Sequence, residues 1–231
     1  SLKDHLNSEW IKRTTDFMQD EKIAVDFFGA EINGNFTSPL QDKITLQPGT
    51  NVRIDVVVRT KGIGHKFPGG TIDSNEPWLQ VFVQNKKGET IYGSGLLDGK
   101  KFVDQSAHFF RGILLDKQGE FILKRNPHEW VTTLYNNSIP PGSAEVIHYE
   151  WNVPDNLNDG LKIIANLNYR KFNRRITETF LDEPIYLPIV TMASDTVSIV
   201  AHPQKLNLKI EDAIRINDYG IGMLRQNNLE A

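Results

Sequence analysis

Val52-Arg53-Ile54-Asp55-Val56-Val57-Val58-Arg59 carries a clear strand signature, and the fold class follows from it. Arg53, Asp55 and Arg59 fall on one parity, the period-two pattern of a strand in a sheet that is wet on one side. Val146-Ile147-His148-Tyr149-Glu150-Trp151 repeats the pattern, with Ile147, Tyr149 and Trp151 on one face and His148 and Glu150 on the other. Outward from these two, β-branched and aromatic clusters recur between Gly, Pro, Asn and Asp breaks from Lys22 onward. They predict strands over residues 23–28, 43–46, 51–59, 78–84, 90–93, 108–115, 121–123, 131–134, 144–153 and 161–167. Lys86-Lys87-Gly88-Glu89 and Asp116-Lys117-Gln118-Gly119-Glu120 have the polar, glycine-containing composition of hairpin turns. Many short strands with close turns imply a mainly β protein, an antiparallel β-sandwich that is immunoglobulin-like in the loose sense.

Helices are expected at both ends. Leu2, Leu6, Trp10, Ile11, Thr14, Phe17 and Met18 recur at three- and four-residue steps, an amphipathic stripe. Ile210, Ala213, Ile214, Tyr219, Ile221, Met223 and Leu224 form a second such pattern, and residues 170–180 read as a short helix or an irregular crossing. The division that follows is an N-terminal helix over 1–20, a sandwich over 21–205 and a helical segment over 206–231.

Composition bounds the chemistry. The 231 residues carry 26 basic and 29 acidic side chains, a formal charge of −3, without the electrostatic footprint of a nucleic-acid-binding domain. The chain has no cysteine, so a disulfide framework, thiolate metal ligands, a cysteine nucleophile and covalent C-x-x-C-H haem attachment are excluded within it. No run of about 18 apolar residues marks a membrane span. The start, Ser1-Leu2-Lys3-Asp4-His5, has neither a Met nor the apolar core of a signal peptide and reads as an excised or processed segment.

The densest local signal is Gly62-Ile63-Gly64-His65-Lys66-Phe67-Pro68-Gly69-Gly70. It lacks the Gly-Lys-Ser/Thr of a phosphate loop and is followed by a strand, so a nucleotide is not its ligand. A histidine held between glycines at a strand end is either a ligand or acid–base group, or a ring bonded only to its own backbone. His5, His108, His128, His148 and His202 complete the histidines, with no H-x-H or H-E-x-x-H spacing. A metal site would have to join His65, His108 and His148 across the fold. Thr71-Ile72-Asp73-Ser74-Asn75-Glu76 alternates oxygen donors of the kind calcium takes, from Asp73, Asn75 and Glu76, or forms an Asx turn. Arg170-Lys171-Phe172-Asn173-Arg174-Arg175 is a basic cluster: a solvated face, or a seat for carboxylates. No G-x-S-x-G nucleophile elbow occurs, because Gly93-Ser94-Gly95 is too short.

Several stretches together resemble a domain of large bacterial multihaem c-type cytochromes that lies between the haem-binding part and a run of tetratricopeptide repeats. They are Gly62 to Thr71, Trp78-Leu79-Gln80-Val81, Ser94-Gly95 with Leu97-Asp98, Asp104, Ala107-His108-Phe109-Phe110-Arg111 and Leu114-Leu115-Asp116. Ile139-Pro140-Pro141-Gly142, Tyr149, Asn168-Tyr169-Arg170-Lys171-Phe172 and Leu187-Pro188-Ile189 continue the series. Arg215 to Leu224 resemble the segment that begins the repeat helices, and Asn227-Asn228-Leu229-Glu230-Ala231 the end of a first repeat helix. The resemblance implies a periplasmic or extracellular electron-transfer protein whose haem c groups lie outside this chain. It implies a structural and interactive domain docked against a haem-bearing domain or electron-transfer partner. On that reading His65, His108 or both supply an axial ligand to a neighbouring haem, with Arg170, Lys171, Arg174 and Arg175 near its propionates. Two other classes remain: a copper or zinc redox or hydrolytic site built on His65, His108 and His148, and a peptide or carbohydrate recognition module using Trp78, Trp130 or Trp151.

Overall fold

A computed structural model describes residues 2–123, 126–155, 161–180, 186–200 and 208–227, with residues 2–6 described as backbone only. The elements are α1 (Leu2–Gln19), β1 (Ile23–Ile32), β2 (Asn35–Thr37), β3 (Lys43–Thr45), β4 (Asn51–Thr60), β5 (Glu76–Gln84) and β6 (Thr90–Ser94). They continue with β7 (His108–Phe109), β8 (Gly112–Leu115), β9 (Thr132–Asn136), β10 (Ala144–Asn152), β11 (Lys162–Arg170), α2 (Arg174–Phe180), β12 (Ile189–Val200) and α3 (Ile210–Arg225).

The protein is mainly β; among the described residues two larger sheets lie face to face and β8 pairs with β9 in a separate two-stranded sheet. One has the strand order β10-β4-β1-β2; the other runs β3-β12-β11-β5-β6, with β7 also pairing to β5. All of these pairings are antiparallel except β3 with β12. Val52, Ile54, Val56 and Val58 of β4 meet Leu79, Val81 and Val83 of β5 and Ile163, Ala165 and Leu167 of β11 in one apolar core, where every one of them is buried. Period-two alternation produces this, since one parity of each strand faces the opposite sheet. Asn33-Gly34, both at positive φ, make the tight turn from β1 to β2. A bulge at Phe28 interrupts the β1 ladder, and the N–H of Phe27 finds the carboxylate of Asp195 on β12 of the other sheet at 2.7 Å.

The parity that carries Arg53, Asp55 and Arg59 is not simply wet, as the sequence implied. α3 lies across it: Met223, Tyr219 and Ile221 pack on Phe28, Val57, Ala144 and Val146, and Asp55 is fully buried. Val57 shares that parity and gives the helix its apolar footing. Besides β2, which no predicted strand covers, the strand predictions fail at three places. Residues 108–115 break into β7 and β8 around Phe110, which is buried and bonds its N–H to Pro77 O. Residues 121–123 make only a single bridge, Phe121 to Leu115. The long β12 was not foreseen, because Ala193, Ser194 and Asp195 interrupt its apolar pattern. The basic stretch near residue 170 forms the end of β11 followed by the short helix α2. Among the described residues no helix is long and apolar enough to cross a membrane.

Candidate functional site

The loop from β4 to β5 projects Gly62–Gly70 beside α1. Together with Phe17 and Met18 of α1, Val190 and Met192 of β12, and Tyr169, it encloses a mostly apolar cleft of about 820 Å³. That volume lies in the range of pockets that take small organic molecules or cofactors. His65 is exposed and lines the cleft. Its Nδ1 lies 2.8 Å from the carbonyl of Lys66, and a carbonyl only accepts, so Nδ1 carries the proton. In the neutral ring that bond leaves the lone pair on Nε2. The bond to its own backbone therefore sets the tautomer that a metal ligand needs.

Glycine at position 69 is required by that ring. A Cβ there would stand 2.6 Å from His65 Nδ1, although the backbone at Gly69 is in an ordinary conformation. Asn75, buried against the cleft, donates Nδ2 to Gly69 O at 3.1 Å, while its Oδ1 has no partner among the described residues. Lys171, exposed and over the Phe172 ring, brings a positive charge to the same cleft.

His108 is placed elsewhere. It sits on β7, half-buried, with Nε2 2.7 Å from the carboxylate of Glu145. Asn137 Nδ2 approaches both groups, at 2.9 and 3.0 Å. One nitrogen cannot donate to Glu145 and accept from Asn137, so Nε2–H serves the buried carboxylate and the amide adds its own bond to it. Arg225 of α3 completes the set at 2.9 Å. Burial alone raises the Glu145 carboxyl, but the bonds and charges of His108 and Arg225 outweigh it and hold the group below its ordinary value.

His148 stands on β10 directly across from Asp55 of β4, with Nδ1 2.7 Å from the carboxylate. Tyr219 of α3 donates to the other oxygen of Asp55 at 3.0 Å, and Arg53 pairs with it at 3.3 Å. Burial, reinforced by the Asp55 charge, pushes the Tyr219 hydroxyl well above its usual range. His108 and His148 line one groove of about 330 Å³ along β10, while His65 belongs to the separate cleft. Among the described residues no three His, Asp or Glu side chains are grouped to hold a metal ion. His5 and His202 lie outside the described side chains.

The other predicted groups are dispersed. Glu76 is bound by Arg170 through both Nε and a terminal nitrogen, and Asn75 and Asp73 line different cavities, so the three oxygen donors do not converge. Arg170 is buried, gives its remaining bond to Lys101 O at 2.7 Å and lies over the Trp78 ring. Arg174 is buried, pairs with the exposed Glu178 and lies between the Phe102 and Tyr186 rings, while Arg175 is exposed. Of the basic cluster only Lys171 reaches the His65 cleft. Trp78 and Trp151 are core residues, and Trp130 is exposed. The α1 and β12 walls of the cleft were missed as site residues; the stripe ending in Phe17-Met18 was the one legible signal.

The class defined is a two-sheet β-sandwich roofed by a helix, with an apolar cleft at one side. No protein-family model matches the chain, and no curated protein matches it in sequence. Among solved structures it is similar to a penta-haem cytochrome c552 from Thermochromatium tepidum, at 14% identity and a TM-score of 0.51, over 79% of this chain and 41% of that one. The chain thus spans less than half the length of that cytochrome. Weaker likenesses are the sporulation control protein Spo0M from Bacillus subtilis (12% identity, TM-score 0.28, covering 78% and 50%) and a CARDB domain from Pyrococcus furiosus (13%, 0.30, covering 78% and 96%). At these identities the likeness concerns the fold.

Proposed function

We propose that this chain is the non-haem β domain of an extracytoplasmic multihaem electron-transfer protein, and that it docks a haem-bearing domain at the α1 cleft with His65 as axial ligand. The observation that carries the reading is the placement of His65: its Nδ1 lies 2.8 Å from Lys66 O, and the residue lines a large apolar cleft. Apolar walls fit the face of a porphyrin, and Lys171 offers a charge to a propionate. Covalent attachment and electron transfer belong to the haem domain. His108, tied to Glu145, has the role of a structural ring on this reading.

The test is an absorbance titration with a ferric haem c peptide that carries one histidine ligand and an open axial position. Wild type and His108→Ala are expected to convert it to a low-spin, two-nitrogen spectrum in a saturable way, and His65→Ala is not. Equal spectra for His65→Ala and wild type would sink the assignment.

A further inference from the structure

Arg53, Arg59, Arg170, Arg174, Arg215 and Arg225 each face a carboxylate in an ion pair. Arg111 does not. Its guanidinium lies 3.9 Å over the Phe109 ring, and its buried Nε has no partner among the described residues. Arg111 and the exposed Arg175 line one cavity of about 90 Å³, with Arg174, Asp73 and Glu76 also in its wall. Arg170 already binds Glu76 and Glu178 already binds Arg174. Among the described residues that line the cavity, Arg111 and Arg175 are left facing Asp73 alone, a surplus of one positive charge. Burial pushes the Arg111 guanidinium below its ordinary value; Glu76 opposes this, and the charge of Arg175 adds to it.

We propose that this cavity binds a carboxylate carried on an apolar group. Two guanidinium forks match the planar geometry of a carboxylate, and a monoanion restores the charge balance. A phosphate dianion would exceed that surplus by one charge, with the Asp73 carboxylate in the same wall. The volume holds about three water-sized units, room for the carboxylate and its first carbon. The rest of the ligand would run outward over Phe121, which also lines the cavity and is 48% exposed. The site is separate from the His65 cleft and does not depend on haem.

Titration of the full chain with sodium butyrate, followed by NMR at the Arg111 Nε–H and the Gly112 amide, tests this against inorganic phosphate at equal ionic strength. The expected result is a saturable shift for butyrate, weakened about tenfold or more in Arg111→Gln and in Arg175→Gln, the loss of one charge-assisted hydrogen bond. Lys12→Gln, on the far surface of α1, is expected to leave the curve unchanged. Arg175→Gln removes an exposed side chain, so it serves even if Arg111→Gln fails to fold. A shift that never saturates, a curve unaltered in Arg175→Gln, or phosphate binding tighter than butyrate would each overturn the proposal.

Discussion

Arg170 is a long cationic side chain with 1% exposure, and it persists there because Glu76 accepts its Nε–H and Lys101 O takes another of its N–H groups. Removing one member of such a buried pair leaves the other uncompensated. Arg170→Met is therefore expected to cost about 3–5 kcal/mol in urea unfolding, and Arg170→Met with Glu76→Leu is expected to recover most of that loss. Gly69→Ala is the opposite kind of change. Its Cβ would displace the His65 ring without backbone strain, so an unfolding midpoint near that of wild type should accompany lost haem-peptide binding. At this scale the sequence was partly legible. His65 stood out because glycines surround it, whereas Arg170 read as one of a basic cluster, solvated or seating a ligand's carboxylates, its actual partner Glu76 being 94 residues away in the chain. The unpaired state of Arg111 was invisible for the same reason.

α3 is the element with the most polar fastening. Arg215 reaches Asp26 and the Phe27 carbonyl, Asp218 pairs with Arg59, Tyr219 bonds Asp55, and Gln226 just beyond the helix holds both backbone groups of Val146 on the β10 edge. Gly222 allows the close approach, since a Cβ there would meet Val146 Cγ2 at 2.8 Å and Val146 N at 3.3 Å. Gly222→Val is expected to lever α3 off the sheet, seen as faster proteolysis ahead of the helix with the strand signal in circular dichroism retained. Tyr219→Phe should cost about 1–3 kcal/mol, because Asp55 stays buried with one donor fewer. The two helices and most strands were readable from period and turn composition. β2 was signalled by Asn33-Gly34 and overlooked; β12 was masked by Asp195, whose carboxylate serves a bulge in the other sheet; and the roofing of the charged parity of β4 depends on a helix more than 150 residues later.

For the whole molecule, acid stability is set by carboxylates pulling in opposite directions. The Glu145 carboxyl is lowered, so its contribution is fully present above its ordinary value of 4.5 and is lost as pH falls through the folded value. Burial raises Asp26 against the pull of Arg215, so its ionisation opposes folding and that penalty lifts as pH falls through its raised value. Glu145→Gln is accordingly expected to flatten the loss of stability below about pH 4.5, read as urea midpoint against pH. The sandwich as a whole provides rigid walls, and the cleft between α1, the glycine loop and β12 is where a partner domain is proposed to seat. The most direct test is the ¹⁵N spectrum of the His65 imidazole, with the ring neutral, before and after adding the ferric haem c peptide. The account predicts protonated Nδ1 and unprotonated Nε2, with the Nε2 signal moved or erased by the paramagnetic iron. A proton on Nε2, or an Nε2 signal indifferent to the haem, would contradict it.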